Sequence, residues 1–138
     1  MIPLLLSTLI SCTTPTSETP LEFSQYIDCR RGQQQVQVVQ DWQPLIEKYF
    51  KAEDVSKAMR IIFCESSGRS NAVGINTNGT RDIGLWQFND DTWDWLKGKL
   101  KIKKDRYDPE TSTAVASWLV YNDGWFHWNS SKHCWGNK

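Results

Sequence analysis

Glu65 and Asp82 stand seventeen residues apart in settings that differ in the way acid-base cleavage of a glycosidic bond requires. Such chemistry commonly uses two carboxylates across the scissile bond, one holding its proton in an apolar setting, the other in a polar one. Glu65 falls at the edge of the apolar stripe Val55, Ala58, Met59 and Ile62 on a helix predicted over 54–66, with Glu53, Lys57 and Arg60 on the opposite side. Partial desolvation there raises a carboxyl pKa and keeps a proton available near neutrality. Asp82 lies in NTNGTRDIGLWQFN, residues 76–89, among Asn, Thr and Arg. Singly, each acid has a plain reading, Glu65 as a helix-terminal solubiliser and Asp82 as a polar strand residue. Their pairing points to catalysis.

The elements that must position these acids follow from spacing. Trp42, Leu45, Ile46 and Tyr49 recur at three and four, which suits one face of a helix ahead of the Glu65 helix. A hairpin is predicted over 73–83, with Asn78-Gly79 as a two-residue turn having positive φ at both central positions. Asp90-Asp91-Thr92 reads as the cap of a helix carrying Trp93 and Leu96. KGKLKIKKDR, residues 97–106, concentrates six basic residues and reads either as a solvated connector or as a contact for an anionic polymer. Asp108-Pro109-Glu110 starts a further helix, with Ala114, Val115, Trp118 and Leu119 as its buried stripe, and Asn122-Asp123-Gly124 stops it.

The N-terminal part divides differently. MIPLLLSTLIS, residues 1–11, holds an apolar run too short to span a bilayer and reads as an export signal lacking a charged n-region. Leu9-Ile10-Ser11-Cys12 resembles the lipobox of bacterial lipoproteins, which implies acylation of Cys12 and a membrane anchor. An ordinary signal or a misplaced start codon are the alternatives. TTPTSETP, residues 13–20, reads as linker, and 21–40, ending in the Gln-rich RRGQQQVQVVQ, as a weak helix or arm. Residues 12–40 are thus tether and arm, and 41–138 the packed domain.

Composition adds exclusions. Sixteen basic residues balance sixteen acidic ones, so nothing suggests a nucleic-acid partner. With Cys12 set aside as a lipid carrier, the expected bridge in an exported chain joins Cys64 to Cys134; should Cys12 escape acylation, a Cys12–Cys29 bridge makes the count even. No metal is expected, since the zinc spacings are absent and only His127 and His133 could assist. No cofactor is expected, and a monomer is.

The stretch from Glu65-Ser66 through NTNGTRDIGLWQFN resembles the active-site region of c-type lysozymes. The resemblance implies Glu65 as general acid and Asp82 as nucleophile or stabiliser, with Asn76, Gln87 and Asn89 lining a saccharide cleft. Cys64-Glu65-Ser66 with the later Leu-Trp-Gln-Phe is similar to resuscitation-promoting-factor domains, which bridge the Cys before the Glu. Val120-Tyr121-Asn122-Asp123-Gly124 resembles a motif of soluble lytic transglycosylases, which use one Glu and close the sugar on itself; Tyr121 would then help to position Glu65. Trp125 and Trp128 follow where c-type lysozymes place cleft and core tryptophans, and Trp125 is the expected sugar-stacking ring. The resemblance spans about residues 42–135. Departures from the c-type pattern are a single domain disulfide beside the Glu and the absence of a basic excess.

These readings imply an α+β lysozyme-like fold, mostly helical with a small hairpin beside the cleft. The expected enzyme is a muramidase that hydrolyses the β-1,4 bond between N-acetylmuramic acid and N-acetylglucosamine in peptidoglycan. Alternatives are a lytic transglycosylase using Glu65 alone and a non-catalytic glycan-binding protein. The expected location is the cell envelope or outside the cell.

Overall fold

A computed structural model describes residues 12–14 and 20–136. The expected signal segment 1–11 and most of the expected linker lie outside the described residues. Six helices and three short strands follow in the order α1 (Pro20–Gln40), α2 (Gln43–Tyr49), α3 (Val55–Ser66), β1 (Val73–Ile75), β2 (Arg81–Ile83), β3 (Phe88–Asn89), α4 (Asp90–Leu100), α5 (Pro109–Asn122) and α6 (Lys132–Trp135). The architecture is the α+β arrangement expected, predominantly helical with a minor antiparallel sheet. No helix among the described residues is long and apolar enough to cross a membrane.

The segment read as an arm is one continuous helix, and its last turn enters the core. Val39 is fully buried in the hydrophobic cluster. It packs so closely on Gly68 that a Cβ there would stand 2.9 Å from the Val39 Cγ2. Trp42 reinforces this junction by donating from Nε1 to the Gly68 carbonyl at 2.6 Å.

Helix α3 buries Val55, Ala58, Met59, Ile61 and Ile62. Its end is defined by backbone geometry. Ser67 adopts the left-handed conformation (φ 52°), its N–H bonds the Phe63 carbonyl at 3.0 Å, and the Gly68 N–H reaches the Ile62 carbonyl at 3.3 Å. This closure satisfies carbonyls that a helix terminus otherwise leaves open. It stops the helix just after Glu65-Ser66, so the acid projects from a fixed last turn.

The sheet runs β1-β2-β3, with Gly74 opposite Asp82 on one side and Asn89 opposite it on the other. The hairpin tip differs from the two-residue turn expected. Asn78 keeps negative φ and only Gly79 is left-handed (φ 84°), while the Gly79 N–H bonds the Asn76 carbonyl at 2.9 Å. The reason is the Asn78 side chain, whose Oδ1 accepts from the Thr80 N–H at 3.0 Å and forms a local turn without positive φ. The resulting loop is the longer kind, with glycine at the left-handed position.

One helix cap and one buried helix face also differ from expectation. The cap of α4 is Asn89, whose Oδ1 accepts the Asp91 N–H at 3.1 Å, one residue before the expected Asp90-Asp91-Thr92. Helix α5 is capped by Asp108, which accepts the Thr111 N–H at 2.9 Å. It buries Ser112, Thr113, Val115, Ala116, Ser117, Leu119 and Val120, whereas Ala114 and Trp118 are only half-buried. A helix covered on most sides carries no single stripe, so periodicity misplaces its face.

Beyond α5, a 3-10 segment (Trp125–Ser131) leads into α6, and a Cys64–Cys134 disulfide ties α6 to α3. Aromatic rings fill the space between. Trp86 stacks on Phe50 with centroids 5.5 Å apart and tilts against Trp128 at 5.4 Å. Their N–H groups are satisfied, Trp86 on the Thr113 hydroxyl, Trp128 on the Trp86 carbonyl and Trp135 on the Trp128 carbonyl, each at 3.0 Å.

The other bridge competes with the reading of Cys12 as a lipid carrier and is the pairing expected should Cys12 escape acylation. Its sulfur is bonded to Cys29 of α1. Acylation would need that same sulfur, so this bridge and a lipid on Cys12 exclude one another.

Candidate functional site

Glu65 and Asp82 line one cavity of about 180 Å³, although they come from α3 and β2. Its construction starts with the residue after the acid. Ser66 is buried and donates to the Leu85 carbonyl at 2.8 Å, which fixes the end of α3 against the Gly84-Leu85-Trp86-Gln87 turn. That turn closes through the Gln87 N–H on the Gly84 carbonyl at 3.1 Å. Gly84 has φ 85°, and a Cβ there would collide with the Arg106 carbonyl oxygen, so no other residue fits this approach.

Glu65 is partly buried and accepts from the Ser131 hydroxyl at 2.6 Å. Burial raises its pKa above the ordinary value of 4.5, the Ser131 hydrogen bond opposes the rise, and the Asp82 charge adds to it. The sign follows from removing water, which disfavours the anion. Glu65 is therefore poised as a proton donor at higher pH than an ordinary glutamate. Ser131→Ala removes the one contact that favours its anion, so the basic limb of the pH–rate profile is expected to move to higher pH. A profile unchanged from wild type would show that Ser131 does not tune the acid.

Asp82 is held by polar neighbours. Its Oδ1 accepts from Asn89 Nδ2 at 2.8 Å, and the same nitrogen reaches Thr80 Oγ1 at 3.0 Å. Across the sheet its register partner is Gly74, so β1 contributes no side chain beside the carboxylate. Asn89 therefore has two jobs, capping α4 with its oxygen and orienting Asp82 with its nitrogen.

The residues expected to bind saccharide separate. Gln87 and Asn89 line the cavity with the two acids. Gln87, itself left-handed (φ 52°), anchors its Nε2 on the Ala72 and Gly84 carbonyls at 3.1 and 3.0 Å. Asn76 is outside the lining and donates to Thr80 Oγ1 at 3.1 Å, bracing the hairpin that carries Asp82.

Tyr121 and Trp125 stand outside the lining of this cavity. The Tyr121 hydroxyl donates to Asp54 at 2.7 Å and accepts from the Lys51 N–H at 2.9 Å, and its pKa is pushed up to about 12, chiefly by burial of that hydroxyl. It braces the loop before α3; Ser131 is the residue that contacts Glu65. Trp125 packs on Phe50 with centroids 6.0 Å apart, while Lys57 Nζ sits 4.6 Å from its ring centre. Its neighbour in the aromatic run, Trp128, lines the cavity instead.

Ser131 and the cavity-lining His127 are site residues that sequence reasoning missed. His127 Nε2 pairs with Asp123 Oδ2 at 2.7 Å. A signal for Ser131 existed: once Cys134 is joined to Cys64, a residue one turn earlier falls beside the residue that follows Cys64.

A family model described as "Transglycosylase SLT domain" matches residues 45–123, more than half of the chain. Both carboxylates and the Gly84–Gln87 turn lie within the match, whereas His127, Trp128 and Ser131 lie beyond it. No curated protein matches the sequence.

Proposed function

The chain belongs to the transglycosylase SLT domain family, and from that membership we propose that it is a lytic transglycosylase acting on peptidoglycan, with Glu65 as its acid and base. Glycan cleavage of this general kind is the enzymatic class that the family assigns. The observation that carries the finer reading is Glu65 itself, a partly buried carboxyl whose pKa is raised, fixed at a helix end in a cavity. Within the family match the transglycosylase alternative has more support than the muramidase reading.

In the proposed reaction Glu65 gives its proton to the glycosidic oxygen as the C1–O bond of the muramic acid residue breaks. The N-acetylglucosamine end leaves as an alcohol, and positive charge develops at C1. The C6 hydroxyl of the same muramic acid then attacks C1, and its proton returns to Glu65. A 1,6-anhydro ring results, no water is consumed, and the acid is restored. Asp82 stabilises the developing charge from the β2 side, oriented by Asn89.

Digestion of purified peptidoglycan by wild type and Asp82→Asn tests the division of labour. Wild type is expected to release soluble fragments. Asp82→Asn, which retains the shape but not the charge, is expected to slow release by about a hundredfold, the scale of one electrostatic contact to a transition state. A loss as complete as that from removing Glu65 would favour the two-carboxylate hydrolase. Failure of wild type to release any fragment would overturn the enzymatic reading.

An exported location is consistent with both disulfides, which persist in oxidising compartments. Helix α1 serves in this reading as a peripheral segment, bridged through Cys29 to Cys12 and entering the core through Val39 in its last turn.

A further inference from the structure

Strand β2 has two faces, and Asp82 uses one of them. Successive strand residues point to opposite sides of a sheet. Arg81 and Ile83 accordingly line a second cavity of about 660 Å³ on the reverse face, distinct from the one containing the two acids. Ile83 and Trp93 are buried in its floor, and the segment 97–106 forms its rim.

The charge of this cavity is lopsided in a chain of zero net charge. Five cationic side chains line it against two carboxylates, Asp105 and Asp108. Both carboxylates have internal roles, Asp105 accepting the Tyr107 N–H at 2.8 Å and Asp108 capping α5. Arg106 is also engaged, buried and paired with Asp90. Lys97, Lys103 and Lys104 are exposed, and their ammonium groups make no ion pair or hydrogen bond among the described residues, although the Lys104 charge bears on Asp108. Three exposed ammonium groups therefore ring a concave surface over an apolar floor, with the half-exposed Tyr107 beside them.

We propose that this cavity binds carboxylates of the peptide stems that peptidoglycan carries, so that the enzyme holds a glycan strand in the Glu65 cleft and its stem behind β2. The inference rests on the peptidoglycan reading above. An extended peptide advances about 3.4 Å per residue, so a stem of a few residues reaches on the order of 10 Å or more from the sugar that carries it, round the edge of the small sheet. A stem is covalently joined to the sugar in the cleft, so its carboxylate meets the lysines at high effective concentration. Weak individual contacts then suffice for selectivity. A phosphodiester polymer joined through C6 of that sugar would remove the hydroxyl that closes the ring, which favours the stem as the occupant.

The test compares stem-bearing glycan chains with the same chains after conversion of the stem carboxylates to primary amides. Wild type is expected to show a KM about fivefold lower on the charged chains, the scale of three partly exposed ion pairs, with a preference that fades as salt is raised. The Lys97→Gln, Lys103→Gln, Lys104→Gln triple variant alters exposed side chains only. It is expected to lose the preference while keeping wild-type kcat and KM on amidated chains. A wild type that cleaves both substrates equally, or a triple variant that keeps the preference, overturns the stem site and leaves the catalytic reading standing. A preference that survives amidation and follows phosphodiester content also overturns it. Cleavage of neither substrate refutes the catalytic reading instead.

Discussion

Glu65→Gln is expected to lower turnover on peptidoglycan by at least about a thousandfold while leaving the protein folded and at least as stable at neutral pH. The kinetic part follows from removing both the proton donor of bond cleavage and the acceptor of ring closure, since a positioned acid or base contributes about a hundred- to ten-thousandfold. Stability moves the other way because of linkage. Folded Glu65 binds its proton more tightly than the unfolded chain does, with burial as the main cause. Its contribution to folding is therefore fully present below the ordinary value of 4.5 and is lost as pH rises through the folded value. Glutamine is neutral throughout, so the substitution removes that loss and still accepts from Ser131. Thermal unfolding of both proteins across pH checks this. A Glu65→Gln protein that is less stable than wild type at neutral pH would show that the carboxyl is structural.

Loss of the Cys64–Cys134 bridge is expected to have the second largest effect. The cysteines are 70 residues apart, and a loop of that size restricts the unfolded chain by about 4 kcal/mol in the chain-entropy account. The bridge also fixes the C-terminal segment that brings Ser131 to Glu65. A Cys64→Ser, Cys134→Ser variant should thus unfold at markedly lower denaturant and should have an altered pH–rate profile under conditions where it is still folded. Cys12→Ser with Cys29→Ser is the control, because that bridge lies outside the site and activity is expected to be unchanged. Equal unfolding midpoints for wild type and the Cys64/Cys134 variant would contradict the account.

How much of this was legible in the sequence depended on whether one face of an element was buried. Helix α3 shows a clean stripe because one side meets the core, and its end could be read well enough to single out Glu65. Helix α5 did not yield its packing, because small polar residues such as Ser112 and Thr113 are buried alongside the apolar ones. Val39 was hidden by its Gln-rich surroundings, and its burial depends on a glycine 29 positions away, as an added Cβ at Gly68 reveals.

The site was legible where spacing was local. Gln87 and Asn89 follow Asp82 on the same hairpin, so their convergence required no long-range information. Tyr121 and Trp125 were assigned by likeness to other proteins. Their partners Asp54, Lys51, Phe50 and Lys57 come from distant segments that spacing cannot weigh. The hairpin tip failed for a different reason: the Asn78 side chain competes with the backbone and alters the turn.

The central claim is that Glu65 closes the sugar ring without admitting water. Mass spectrometry of the fragments released in water enriched in oxygen-18 tests it most directly. The account predicts 1,6-anhydro ends, each lighter by one water than a reducing end and free of the heavy isotope. Reducing ends carrying one oxygen-18 would contradict it and establish hydrolysis across Glu65 and Asp82.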